Sequence, residues 1–120
     1  MSDVPVNIRL RKQSACLTLE YGDGTSHDLS FEYLRVNSPS AEVQGHHPDQ
    51  AVLQHGKRNV RITRIEPVGH YALKLIFSDG HQTGLYSWTL LRRLGEEYDT
   101  RWQDYTLALE KAGLTRDPAT

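Results

Sequence analysis

The chain of 120 residues carries a single cysteine, Cys16. One thiol excludes an internal disulfide, a four-cysteine zinc site and a cysteine-ligated cluster held by one chain. No apolar run approaches the roughly 18 residues of a membrane-spanning helix. The opening MSDVPVNIRLRK has no apolar stretch of the signal-peptide kind, which sets the expectation of a cytoplasmic protein. A basic excess is also missing, since 14 Lys and Arg stand against 15 Asp and Glu for a formal net charge of −1. Phosphate backbones are held by a surplus of cations, so nucleic acid is not an expected partner. G-x-S-x-G, P-loop, G-x-G-x-x-G and H-E-x-x-H patterns are all absent. What remains is ordinary globular composition, 38% hydrophobic and 24% charged. A chain of this length forms one domain that buries roughly 65% of its unfolded surface.

Hydrophobic periodicity organises the first third. Residues 6–11 (VNIRLR) place Val6, Ile8 and Leu10 on one side, the period of a half-buried strand. Residues 15–21 repeat the pattern with Ala15, Leu17, Leu19 and Tyr21, and Lys12-Gln13-Ser14 joins the two as a hairpin. Gly22-Asp23-Gly24 signals a second turn, followed by a short strand from Ser26 to Leu29. Ser30 suits a helix N-cap, with Phe31 and Leu34 on the apolar stripe of a short helix that stops before Pro39. Residues 37–58 hold two prolines, two glycines and three histidines with little periodicity, and are expected to form a long surface loop.

The second half repeats the hairpin theme. Residues 59–67 alternate with a bulge near Arg64 and Ile65; Gly69-His70 turns the chain; residues 71–77 form a strand. Ser78-Asp79-Gly80 then parallels the earlier Gly22-Asp23-Gly24 turn, and residues 81–86 are expected to pair back. Ser87 caps a helix over 88–95 that Gly95 ends. A last helix spans about 100–113, with Trp102, Tyr105, Leu109 and Ala112 at helical spacing and Gly113 at its C-cap.

Four segments together resemble one family: IRLRKQSACLTLEYGDG, FEYLRVNSPSAE, IFSDGHQTGLYSWTLLRRL, and the W-x-D-Y from Trp102 to Tyr105. They are similar to the gamma-butyrobetaine hydroxylase-like N-terminal domain family, over about residues 6–113. The resemblance implies a small, mostly antiparallel α+β domain. Such domains stand in front of carnitine-pathway oxygenases, behind some P-loop ATPases of iron–sulfur cluster assembly, and alone in bacteria. The expectation here is the stand-alone form, without the oxygenase body that binds iron and 2-oxoglutarate. In metal-binding members a C-x-C-x-x-C run after the short helix and a histidine from the Asp-Gly-His turn hold zinc. Those positions match Ser38, Ser40, Val43 and His81. A serine hydroxyl is a poor zinc ligand and valine is none, so the family site is expected to be lost and His81 to be a remnant or a surface residue.

Other candidates reduce to plainer accounts. His46, His47 and His55, with Glu42 and Asp49, could hold a divalent metal, but H-H-x7-H fits no ligand signature and a polar loop with exposed histidines explains it. His27 and His70, beside turns, are expected to be solvated. Cys16 has no readable context that would lower its pKa. Glu96, Glu97 and Asp99 read as a solvated helix end. Arg9, Arg11, Lys12, Lys57, Arg58, Arg61, Arg64, Arg92 and Arg93 could make a basic stripe, better suited to a protein than to RNA. Trp88, Tyr98, Trp102 and Tyr105 read as core.

The expectation is therefore an α+β fold: a small, mostly antiparallel β domain of hairpins, a short helix after the first meander, and two C-terminal helices. The domain covers 6–113, with flexible tails at 1–5 and 114–120. No catalytic or cofactor-binding residues are assigned. The expected role is a non-catalytic accessory domain with a protein partner, linked to iron–sulfur cluster assembly or iron metabolism. The alternative is a zinc- or iron-binding protein using His81 or the histidine-rich loop. Exposed sheet edges admit a homodimer. A small-molecule enzyme would instead require an enclosed pocket with converging polar groups.

Overall fold

A computed structural model describes residues 3–45 and 50–118. Strands β1 (Asn7–Arg11), β2 (Cys16–Glu20) and β3 (Ser26–Ser30) form one antiparallel meander. β4 (Ile62–Val68), β5 (Ala72–Phe77) and β6 (Leu85–Ser87) form a second. Between them lie α1 (Phe31–Val36) and the single-turn α2 (Ala41–Gln44); α3 (Trp88–Glu96) and α4 (Tyr98–Ala112) close the chain. The α+β class and the hairpin architecture are those the alternation implies.

Period-two patterning builds the core. In the first sheet Ile8 pairs with Leu19, Leu10 with Leu17, and Leu17 with Leu29. In the second, Leu73, Leu75 and Phe77 alternate inward along β5, joined by Ile62 and Tyr86. Phe31, Tyr33 and Leu34 of α1 and Leu91 and Leu94 of α3 join the same cluster, so both sheets share one core. The bulge falls between Ile62 and Arg64, as the broken alternation suggests. Val6 departs from expectation: it lies beyond the last paired residue of β1 and is 72% exposed.

Helix ends follow local chemistry. The Ser30 hydroxyl accepts from the Tyr33 N–H at 3.1 Å, and the Ser87 hydroxyl from the Leu90 N–H at 3.1 Å. Gly113 closes α4 in the left-handed conformation, at φ 69°. Gly95 does not end α3, which continues to Glu96. A glycine suits this helical position because the His27 ring packs where a side chain would begin. His27 is accordingly half-buried rather than solvated, with its ring 6.0 Å from that of Tyr21.

Three further segments differ from the sequence expectation. Part of the presumed loop, 41–44, is helical. Residues 81–84 do not pair as a strand; the chain leaves the sheet after the Phe77 N–H bond to the His81 carbonyl, and Gly84 packs on Ser38 and Pro39. The stretch after Gly113, read as a tail, runs back along the middle segment. There Gly56 and Arg58 donate backbone N–H bonds to the Thr115 and Arg116 carbonyls at 2.9 and 3.0 Å. Arg116 makes two bonds to the buried Glu32 carboxylate, at 2.9 and 2.7 Å, and lies 4.8 Å over the Trp102 ring.

The β1–β2 connection contains Ala15 at φ 55°, the sole non-glycine residue with positive φ among those described. An L-residue there costs about 1–2 kcal/mol. The turn is held by the Ala15 N–H bond to the Lys12 carbonyl (3.3 Å) and the Phe31 N–H bond to the Ala15 carbonyl (2.9 Å).

Candidate functional site

The segment after α1 and the turn after β5 meet at a buried polar cluster. Ser38 leaves α1 and Ser40 precedes α2, while His81 follows the Ser78-Asp79-Gly80 turn. Ser38 Oγ and His81 Nε2 are 2.8 Å apart, and both residues are buried, at 0% and 7% exposure. The other ring nitrogen, Nδ1, faces Glu42 Oε2 at 3.4 Å. A carboxylate on that side favours the proton on Nδ1, which leaves Nε2 to accept from the Ser38 hydroxyl. Ser38 Oγ also accepts from the Ser40 N–H at 3.3 Å, and the Ser38 carbonyl accepts from Gln44 Nε2 at 2.8 Å. Val43, the remaining matched position, is 4% exposed; its N–H donates to the Ser40 carbonyl at 3.1 Å, and it lines a hollow with Val36 and Tyr105.

A charged layer supports this cluster. Asp79 Oδ2 bonds Arg35 Nε at 3.0 Å and Lys57 Nζ at 2.7 Å, and Oδ1 accepts from the His81 N–H at 3.2 Å. Burial pushes the Asp79 carboxyl up, but the bonds and charges of Lys57, the His81 N–H and Arg35 outweigh it and hold it below the usual carboxylate value. His81 is moved down from its ordinary value, first by burial and then by the Arg35 charge, against the opposing pull of Glu42 and Asp79. The imidazole is therefore neutral near pH 7. Tyr86, its hydroxyl bonded to the Leu34 carbonyl at 2.6 Å, is pushed well up by burial. Arg35 Nη1 and Ser40 Oγ are buried with no hydrogen-bond partner among the described residues.

Ser38, His81 and Glu42 thus have the order of a nucleophile, base and orienting acid. Access denies that chemistry. Ser38 is fully buried, and Gly84 lies so close to its hydroxyl that even a methyl group would not fit between them. An attacking oxygen must reach a substrate carbonyl, and here no substrate atom can approach it. The cluster also fits zinc poorly. Among the four matched positions only His81 is a good ligand, and its Nε2 is already bonded to Ser38. No group of three or more His, Cys, Asp or Glu converges among the described residues.

Three of the four matched positions, Ser38, Ser40 and His81, therefore come together, and His81 is a buried member of the cluster rather than a surface residue. The sequence did not reveal Arg35, Lys57, Asp79 and Gly84 as its supports. Arg35 and Asp79 fell inside the quoted Leu34-Arg35 and Ser78-Asp79-Gly80-His81 motifs; nothing in the sequence pointed to Lys57 or to the close approach of Gly84.

The remaining candidates disperse. His46, His47 and Asp49 lie outside the described residues; His55 and His70 are exposed. Cys16 is half-buried on β2. Glu97 bonds Arg101 at 2.8 Å and faces Arg93 at 3.8 Å, in keeping with a solvated helix junction. Tyr98 packs tilted against the core residue Tyr33 and Trp102 packs edge-on to it, with ring centroids 4.3 and 6.5 Å away. Tyr105 is buried, donates to the Gln54 carbonyl at 3.0 Å, and is pushed up to about 12 by burial. It borders a hollow of about 270 Å³ with Val36, Val43 and Val52, whose walls bring no converging acid and base.

Comparison with known proteins places these features. The family model described as gamma-butyrobetaine hydroxylase-like, N-terminal, matches residues 8–92. A solution structure determined by NMR is 52% identical, covers 98% of this chain and 92% of that one, and superposes with a TM-score of 0.84. A second NMR structure is 43% identical over 100% of this chain and 91% of that one, with a TM-score of 0.81. A crystal structure of a protein with unknown function from Acidithiobacillus ferrooxidans is 39% identical over 78% of this chain and 93% of that one, with a TM-score of 0.65. No curated protein matches. On the family match across the hairpins, the Ser38–His81 cluster and the first turn of α3, the chain belongs to the gamma-butyrobetaine hydroxylase-like N-terminal domain family.

Proposed function

We propose that this chain is a non-catalytic accessory domain that docks on another protein, with the link to iron–sulfur cluster assembly or iron metabolism drawn from the family. The supporting observation is the Ser38–His81 bond of 2.8 Å in a closed cluster. The positions that match metal ligands in relatives here join α1, α2 and the β5–β6 connection by hydrogen bonds. That makes the cluster a structural joint and leaves the outer surface as the place for function.

The test is capture from the native host with an N-terminally tagged chain, followed by quantitative mass spectrometry. The reading expects a stoichiometric protein partner, and recovery of none overturns it. Metal analysis of the same purified chain separates the alternative. Near-stoichiometric zinc or iron that is lost in His81→Ala would replace docking with metal binding.

A further inference from the structure

We propose that the tip formed by the β1–β2 turn and the segment leading into β4 receives an acidic stretch of a partner protein, with Arg11, Lys12 and Arg61 as the contacting cations. This proposal rests on the docking reading and names the surface that carries it.

The first observation is how charge is distributed. Of the 14 lysines and arginines, ten lie 2.5–3.9 Å from a carboxylate of the same chain. Arg11, Lys12, Arg61 and Lys111 have no such partner among the described residues. Lys111 stands alone in the last turn of α4. The other three sit together, because Arg61 Nη2 donates to the Lys12 carbonyl at 2.5 Å and Arg11 is the adjoining residue. All three are exposed. Among the described residues, a chain of net charge −1 thus pairs most of its cations internally and gathers three without a carboxylate partner at one point. Like charges side by side repel one another, and an opposing carboxylate relieves that.

The second observation is that this point is held in shape. Ala15 keeps the turn at φ 55°, and the Lys12 carbonyl accepts from both Ala15 and Arg61. The Arg61 backbone is fixed from its other side, its N–H donating to the Ser78 hydroxyl at 2.9 Å and its carbonyl accepting from the Ser78 N–H at 2.8 Å. Backbone outliers of this kind persist where surrounding structure imposes them, commonly at binding sites. The backbone that carries the cations therefore starts from a defined arrangement, with the Arg61 guanidinium anchored on it, which lowers the ordering cost of binding.

Aromatic content decides between an acidic protein and RNA. Single-stranded nucleic acid needs exposed rings on which bases stack. Here the ring under Arg61 is Phe31, 6.0 Å from the guanidinium and only 1% exposed. The exposed Tyr71 lies at the far end of the β4–β5 hairpin, about 20 Å along the strand. Carboxylates ask only for cations, so the acidic segment is the occupant that fits.

The experiment uses a fluorescein-labelled peptide of alternating glutamate and aspartate, titrated with the full chain and followed by anisotropy at low salt. Backbone amide NMR spectra map the shifts and verify folding of each variant. Binding is expected to weaken with added salt, to shift the Arg11–Ser14 and Arg61 amides, and to fall at least about tenfold in R11E/K12E while K111E stays near the parent. R11E/K12E leaves the Lys12 carbonyl and its bonds in place. Unchanged affinity in R11E/K12E, equal loss in K111E, or tighter binding of a single-stranded RNA oligonucleotide than of the peptide overturns the proposal. If R11E/K12E still captures the native partner undiminished, this surface is wrong and docking stands. If the parent chain captures nothing, docking itself is wrong.

Discussion

A missing methyl group at Gly84 sets how tightly the β5–β6 connection can press on the α1–α2 segment. A Cβ there would collide with Ser38 Oγ and come within 3.1 Å of Pro39 Cδ. Gly84→Ala should therefore destabilise the fold by about 2 kcal/mol in urea denaturation. Part of that cost comes from the serine oxygen, so the same change made in a Ser38→Ala background should cost about 1 kcal/mol less. Strict additivity would refute the contact. His81 gives a second residue-scale expectation. Its folded pKa lies below the unfolded value near 6.5, so the unfolded chain takes up the proton first as pH falls. The stability due to neutral His81 is complete above that value and is lost as pH drops through it toward the folded pKa. Melting temperatures measured from pH 8 to 5 should decline across this window, and less steeply in His81→Gln. The motif positions Ser38, Ser40, Val43 and His81 were legible in the sequence because a resemblance located them. The Arg35–Asp79–Lys57 support was not, since its members are 44 and 22 residues apart and no periodicity links them.

Secondary elements were read well where one local force dominates. The strands, the Ser30 and Ser87 caps and the Gly113 stop each follow from alternation, a hydroxyl or a left-handed residue. Errors arose where a tertiary neighbour overrode the local signal. Gly95 looks like a helix stop, yet it lies one residue inside α3, where the His27 ring occupies the space a side chain would take. Glycine to alanine inside a helix usually gains about 1 kcal/mol. Gly95→Ala should instead lower the melting temperature, and a rise would show that the His27 contact is slack. The C-terminal stretch was misjudged for a related reason: its polar composition hides the pairing of Arg116 with Glu32, 84 residues away. Glu32 is 6% exposed. Arg116→Ala leaves that carboxylate buried without its cation and should cost about 1–3 kcal/mol by chemical denaturation. It should also speed amide exchange at Gly56 and Arg58, the donors to this stretch.

For the whole molecule, one cluster contains Leu17, Leu19 and Leu29 from the first sheet with Leu73, Leu75 and Phe77 from the second. Two sheets that share a core should melt together. Tryptophan fluorescence reports on Trp88 and Trp102 in the C-terminal helices, whereas far-ultraviolet circular dichroism reports on both halves. The two signals should give coincident urea transitions, and separated midpoints would mean that the sheets are independent units. The class of fold was legible at this scale because alternation and turns specify meanders. The closeness of the sheets was not, because inward-facing leucines do not name their partners.

Neither sheet borrows a strand from the other: β1, β2 and β3 are consecutive, as are β4, β5 and β6. Every strand can therefore find its neighbour across a short stretch of chain, which favours rapid folding. On the ribosome the first meander would emerge whole, with Leu17, Leu19 and Leu29 still waiting for the residues that will cover them. That interval, before β5 is synthesised, is when the nascent chain is most open to wrong associations.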